Sequence, residues 1–395
     1  MMIKKYALLF LCLFNIYIGF SQNTNTFGLS KFSQISIITS GPGEALYEKF
    51  GHSAIRVKDP VLQLDLIYNY GIFDFDDPNF YINFTKGFMK YKLARYPFYL
   101  SLKSAKQDER WVKEQILNLT QQQKNEFFQF LETNAQPENA SYFYDPFFDN
   151  CATRPRDIVQ KVVGDNLIFK DDFVSESLSL RQLMNKEINP NTWASLGINI
   201  ALGSKLDKTA TPLEYLYLPD YVFEACKASK IIKKGKEENL VQKTNVLLDF
   251  EEKQSNSDVF SPFLAILLFS LLGFWITYKD IKKTKRTVWL DFSLLFITGT
   301  LGFLIVFLWF FTNHSTAPNN FNFLWAFAPN IIVAFFLLKK NPPKWIRIYI
   351  KILLVFLILI PIVWITKIQL YTYPMTPLFV LLGMRYWYLQ KTLKR

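Results

Sequence analysis

The sequence predicts a mixed α/β domain outside the cytoplasm, followed by an all-α membrane domain of about five transmembrane helices. Three observations carry this. The 395-residue chain is 50% hydrophobic and 17% aromatic but only 20% charged, too apolar for a disordered polymer and too uneven for one soluble globule. Five apolar runs of near-spanning length crowd its last third. The basic residues outnumber the acidic ones by 45 to 33, yet they gather in short clusters between those runs. Such clusters set membrane topology rather than bind nucleic acid, so no nucleic-acid partner is expected. Three cysteines are too few for a disulfide scaffold, and two histidines too few for a His-rich metal site, so neither metal nor cofactor is expected.

Residues 1–21 have the parts of a cleavable export signal. Lys4 and Lys5 give the charged start, Tyr6 to Tyr17 the apolar core, and Gly19 with Ser21 the small residues before a cut. Residues 22–228 read as the extracytoplasmic domain. Gln34 to Thr39, Ser53 to Val57 and Leu64 to Tyr70 alternate or are β-branched, which predicts strands. Thr120 to Asn134 predicts a helix opened by a capping box of Thr120 and Gln123. Residues 229–258 are charged and poor in aromatics, which predicts a linker.

Residues 259–395 hold the spans, at 259–278, 288–311, 321–338, 348–366 and 370–389, each near the roughly 20 residues a bilayer needs. Lys279, Lys282, Lys283, Lys285 and Arg286 follow the first span. Lys339, Lys340, Lys344 and Arg347 follow the third, and Lys391, Lys394 and Arg395 follow the last. The loops 312–320 and 367–373 carry only Lys367. Positive-inside logic puts the C-terminus in the cytoplasm and loop 312–320 beside the extracytoplasmic domain.

With no phosphate-binding glycine loop and no zinc pattern, nucleophilic catalysis is the remaining chemistry. Cys151 follows Asp149 and Asn150 and precedes a predicted helix through Asp157 to Val163. A helix N-terminus stabilises a thiolate, and its free N–H groups can hold an oxyanion. Arg154 and Arg156 add positive potential for a substrate. Cys226 lacks such a setting, although a structural Cys151–Cys226 disulfide is an open alternative. His52 begins a predicted strand directly after a glycine and is the candidate base. The next strand, with Asn69 first and Tyr68 or Asp65 second, could orient its imidazole. Tyr70 is a further candidate substrate contact. In the second loop His314, Asn320 and Asn322 stand beside Phe321, Phe323 and Trp325, where a lipid head group would meet the membrane surface. An ordinary solvated loop is the alternative there.

The strings GHSAIRV, YNYGIFDFDDPNF, DNCATRPRDIV, GINIALGSKLD and YLPDY resemble, in that order, the Lnb N-terminal periplasmic domain family over residues 30 to 225. HSTAPNNFNFLW is similar to the membrane part of full-length members. The order of His before Asn-Cys is also similar to circularly permuted papain-like acyltransferases. The resemblance implies an α+β permuted papain-like (NlpC-type) domain at the periplasmic face of a bacterial inner membrane. It implies a lipoprotein N-acyltransferase with Cys151 as nucleophile and His52 as base, leaving Asn69 as a reading of the residues. Membrane phospholipid would be the acyl donor and a diacylated lipoprotein the acceptor. The rival readings are a papain-like thiol hydrolase, acting on phospholipid or peptidoglycan, and a binding module of the envelope without turnover.

Overall fold

The computed structural model describes residues 28–253 and 255–393. The expected export segment, with Cys12, and the terminal Lys394 and Arg395 lie outside the described residues. The N-terminal domain is built on a seven-stranded sheet. Its strands are β1 (Gln34–Ser40), β2 (His52–Asp59), β3 (Leu64–Ile72), β4 (Lys90–Pro97), β5 (Val112–Leu117), β6 (Ser141–Phe143) and a late arrival, Val241–Leu248. In space the order is Val241–Leu248, β5, β1, β2, β3, β4, β6, with antiparallel neighbours throughout. The alternation in β1 to β3 sends Ile35, Ile37, Ile55, Val57 and Tyr68 to one face. That face is covered by helices Gln121–Asn134 and Thr153–Val163, through Phe127, Leu131, Ile158 and Val159. The opposite face buries Ile38, Ala54, Ile67 and Val112 under Phe98.

Helix Gln121–Asn134 starts where its capping box predicts. The Thr120 side chain accepts from the Gln123 backbone, and the Gln123 side chain accepts from the Thr120 N–H. Helices Leu180–Glu187, Trp193–Ala201 and Pro219–Ala228 form a smaller helical layer. Residues 229–258, expected as a linker, are instead largely folded. Lys230–Lys233 and Lys236–Asn239 form a hairpin that also pairs with Leu167–Ile168. Val241–Leu248 then closes the open edge of β5. Composition misled because this is an edge strand, whose outward positions are free to be charged.

Among the described residues three helices, all in the C-terminal part, are long and apolar enough to cross a membrane: Pro262–Lys283, Val288–Phe310 and Trp345–Ile365. The run 321–338 is broken, with a 3₁₀ turn at Phe321–Leu324 and a helix of 8 residues at Asn330–Leu337. Pro329 stands at the break, where it has no N–H to continue a ladder. The last helix, Thr376–Thr392, has 17 residues and buries Arg385 between Asp280 and Asp291 at 2.8 and 2.6 Å. Glycines let these helices meet. A Cβ on Gly299 would lie 2.1 Å from the Ile331 nitrogen.

The two parts are joined by backbone and buried amides. Gly203 N–H donates to Thr316 O at 2.8 Å and Ser204 N–H to Asn319 O at 3.0 Å. Asn320 and Asn322 donate to the carbonyls of residues 199 to 201 that end helix Trp193–Ala201. Leu370 N–H reaches Asp207 at 3.2 Å, itself paired with the fully buried Arg181. Leu196 packs into the membrane part's own core. Arg286 donates to Lys339 O, and the last helix holds the backbone of Lys285 through Tyr388 and that of Arg347 through Gln390.

Candidate active site

Two glycines shape the site before any reactive group enters it. Gly51 has φ +70°, and a Cβ there would meet Ser40 O at 2.9 Å. Only glycine turns this corner without strain, and the corner delivers His52 to the first position of β2. Continuing the β2–β3 register beyond Ile55↔Tyr68 brings Gly71 opposite His52. A Cβ on Gly71 would lie 3.7 Å from Cys151 Cβ and 3.2 Å from the Tyr144 ring. The Tyr144 ring crowds the place of a side chain there, the cysteine lies beyond it at ordinary contact distance, and φ +90° favours glycine at this position.

Asn69 is the diagonal neighbour of His52 across the two strands. His52 Nε2 meets Asn69 Oδ1 at 2.6 Å. The Asn69 amide is turned that way because its Nδ2 donates to Tyr96 OH at 2.9 Å. With Oδ1 facing the ring, Nε2 carries the proton and Nδ1 is the nitrogen left for the thiol. The other candidate orienters are engaged elsewhere. Tyr68 OH donates to Glu132, and Asp65 forms a bidentate pair with Arg56.

Cys151 enters from the start of helix Thr153–Val163. Asn150 holds that start: its Oδ1 accepts from Ala152 N–H at 2.8 Å and Thr153 N–H at 2.9 Å. Its Nδ2 donates to Pro146 O and Tyr217 O. The first N–H groups of the helix are therefore occupied by Asn150, a reason to look elsewhere for an oxyanion donor than the sequence suggested. The backbone N–H groups of Ser53 and Cys151 are the ones that address the sulfur.

Cys151 is half-buried and free. Burial opposes its ionisation, but the charge and hydrogen bond of His52 and the two backbone N–H groups outweigh it, so the thiol lies below its ordinary value. Burial likewise opposes the imidazolium of His52. The Cys151 thiolate and the hydrogen bonds to Cys151 and Asn69 overcome that and hold His52 above its ordinary value, with Arg110 working against them. Both directions favour the proton on His52 over the proton on Cys151. Cys226 is free, buried in the sheet core and pushed up to about 12 by burial. The two cysteines form no disulfide, and only Cys151 has the setting of a nucleophile.

The remaining candidates fall differently. Arg154 is bound bidentately by Asp149 and lies 4.1 Å from the Tyr142 ring centroid. Arg156 pairs with Asp157 and donates to Leu213 O. Neither offers the free positive charge expected of it, because Asp149, five residues before Arg154, and Asp157, next to Arg156, pair with them. Tyr70 is buried against Tyr142. Arg154 and Tyr70 edge a surface cleft of about 380 Å³ that Cys151 and His52 do not line. His314, Asn320 and Asn322 lie in the junction. His314 hydrogen-bonds the backbone of Thr85 and Phe84, but burial dominates and keeps its imidazole below the ordinary value. Asn320 and Asn322 are buried and hold backbone carbonyls. An open patch for a head group is thus corrected to a set of inter-domain struts.

Sequence reasoning missed Asn150, Tyr96, Tyr144 and Arg110. Asn150 alone had a local signal, an Asx residue three positions before a helical threonine. The others reach the site from distant strands and loops. Among the described residues no group of three or more His, Cys, Asp or Glu is placed to hold a metal.

Comparison with known families agrees with this division of the chain. A family model of the Lnb N-terminal periplasmic domain matches residues 20–186, a span that contains His52, Asn69 and Cys151. A second, of the Lnb transmembrane domain, matches residues 253–395. No curated protein and no solved structure matches the chain. With both halves matched in order, the chain belongs to the Lnb family, as a multi-pass membrane protein that carries a periplasmic domain.

Proposed function

We propose that the protein is a lipoprotein N-acyltransferase working through a Cys151 thioester. The observation that carries the reading is the Cys151–His52–Asn69 constellation, a polarised thiol in a domain fixed onto membrane helices. Cys151 Sγ attacks an ester carbonyl of a membrane phospholipid. A C–S bond forms, the C–O bond breaks, and His52 gives its Nδ1 proton to the departing lysophospholipid oxygen. The α-amino group of a lipoprotein's diacylglyceryl-cysteine then attacks the thioester carbonyl. The N–C bond forms, the C–S bond breaks, and neutral His52 takes the amine proton, restoring the ion pair. Asn69 keeps Nε2 protonated throughout, and the Ser53 and Cys151 N–H groups receive the oxyanion.

The arrangement of β1 to β6 with helix Thr153–Val163 is compatible with a permuted papain-like fold. In our reading, Asn330–Leu337 with its preceding turn and Thr376–Thr392 complete five membrane crossings. The C-terminus then faces the cytoplasm, because the basic loops converge at the end away from the periplasmic domain.

The test is mass spectrometry of lipoprotein N-termini from cells carrying wild-type protein, Cys151→Ala or Cys151→Ser, with membrane insertion checked by immunoblot. Triacylated termini should be lost in both variants. Undiminished N-acylation by inserted Cys151→Ala would refute the mechanism. Free fatty acid released without any N-acyl lipoprotein would assign a hydrolase instead.

A further inference from the structure

Between β3 and β4 the chain runs through FDFDDPNFYINFTKGF, residues 73–88, and buries little of it. Helix Phe80–Lys86 has no fully buried residue. Tyr81 is 69% exposed, Ile82 54% and Phe84 48%, and Phe75 and Phe88 are exposed too. Apolar residues so concentrated on one short element are unusual for a surface that meets only water.

Two observations say what covers them. The helix abuts the membrane part. Lys86 O accepts from Asn313 N–H at 2.8 Å, and the Phe84 ring lies 6.3 Å from that of His314. A Cβ on Gly87, which has φ +77°, would meet His314 N at 2.6 Å. Asn313 lies just past the end of the spanning helix Val288–Phe310, whose Phe310 and the following Phe311 are exposed. The apolar face of Phe80–Lys86 thus continues the lipid-facing surface of that helix at its periplasmic-domain end. The second observation is an unbroken series of aromatic rings leading inward. Phe84 stacks on Phe80 at 6.1 Å, Phe80 on Phe73 at 5.7 Å, Phe73 meets Tyr91 at 5.0 Å and Tyr91 meets Tyr144 at 4.6 Å. Tyr144 is the ring beside Gly71, where a Cβ would lie 3.2 Å from that ring and 3.7 Å from Cys151 Cβ.

We propose that residues 73–88 are a lipid-entry element. Helix Phe80–Lys86 beds its Tyr81, Ile82 and Phe84 side chains into the membrane leaflet facing the periplasmic domain. The ring series from Phe84 to Tyr144 is the apolar track along which a phospholipid acyl chain reaches Cys151. The acids Asp74, Asp76 and Asp77, all exposed, precede the helix and stay in water. The insertion is therefore shallow and led by the end nearest Asn313. The track rests on the acyl-transfer reading; the membrane contact does not.

The experiment separates the two. Ile82→Cys is made in a Cys151→Ala background, where the remaining described thiol, Cys226, is buried. The full chain is labelled with bimane and reconstituted in phosphatidylcholine vesicles containing spin-labelled phospholipid. Spin label near the head group should quench the fluorophore several-fold more than aqueous iodide does, with the order reversed for Lys236→Cys on the exposed hairpin. Quenching by iodide alone, or protection from both quenchers by a second protein surface, overturns the membrane contact whatever the enzyme does. With Cys151 restored, Ile82→Asp should lower transfer from bilayer phospholipid about tenfold. The loss should be recovered when the donor is a monomeric short-chain phospholipid. A loss not recovered in this way overturns the track. Quenching with no acyl transfer even in the wild type would leave the membrane contact standing and fail the acyl-transfer reading alone.

Discussion

Replacing Asn69 perturbs one hydrogen bond whose consequences have a definite sign. The bond runs from His52 Nε2–H to Asn69 Oδ1 at 2.6 Å, and Asn69 is buried, so water compensates little for its loss. A hydrogen bond to a charged group contributes about 1.5–3 kcal/mol, and about 1.36 kcal/mol corresponds to one pKa unit. The proposed acylation needs the thiolate and the imidazolium together. The rate rises as Cys151, held low, loses its proton and falls as His52, held high, loses its own. Asn69→Ala withdraws support from the imidazolium, so the descending limb should move down by about one to two pH units. Asn69→Asp places a carboxylate there and should move that limb up. The assay is kcat/KM against pH for a fluorescent phospholipid in detergent micelles, which reports the apparent constants of the pair rather than of either residue. Descending limbs that stay put, or move together in both variants, would refute the ion-pair account.

Three further outcomes follow from the geometry. Gly51→Ala forces a side chain into a left-handed backbone against Ser40 O, a strain of about 1–2 kcal/mol. It should displace His52 and cut acyl transfer at least tenfold while the protein still inserts, measured in membranes at matched expression. Asn322→Ala leaves the carbonyls of Asn199 and Ile200 without those donors in a buried junction, at about 1–3 kcal/mol. The detergent-solubilised protein should melt earlier and be cut sooner by protease near residue 200, and an unchanged melting temperature would count against the junction. Cysteines at 284 and 316 should label from opposite sides of the membrane, and labelling from one side would reject the topology.

The site was legible where its signals are local. The two-residue period of the strands set His52 and Asn69 on neighbouring strands, and the helix after Cys151 marked the thiol. What failed depended on partners the sequence does not name. Arg154 and Arg156 looked like free charges, but Asp149 and Asp157 fold back onto them. Residues 241–248 looked like linker because a charged strand can still donate and accept along a sheet edge. Hydropathy read 321–338 as one span and could not register the break at Pro329. Asn320 and Asn322 were singled out as a head-group patch, yet their amides face carbonyls of another domain. That pairing has no trace in local spacing.

The junction has a kinetic consequence. A Cβ on Gly203 would stand 1.9 Å from Pro318 O, so the two main chains cross in direct contact, and the amides of Asn320 and Asn322 bolt them together. A domain fixed in this way cannot sweep a hemisphere as it would on a flexible tether. In the proposed reaction its thiol would stay at one height above the bilayer, and only motion in the membrane plane would bring it to a lipid substrate. The relevant concentration of a lipid substrate is then its surface density rather than its amount per volume. At fixed protein, turnover should track the mole fraction of donor in the membrane and be indifferent to diluting the vesicles with buffer.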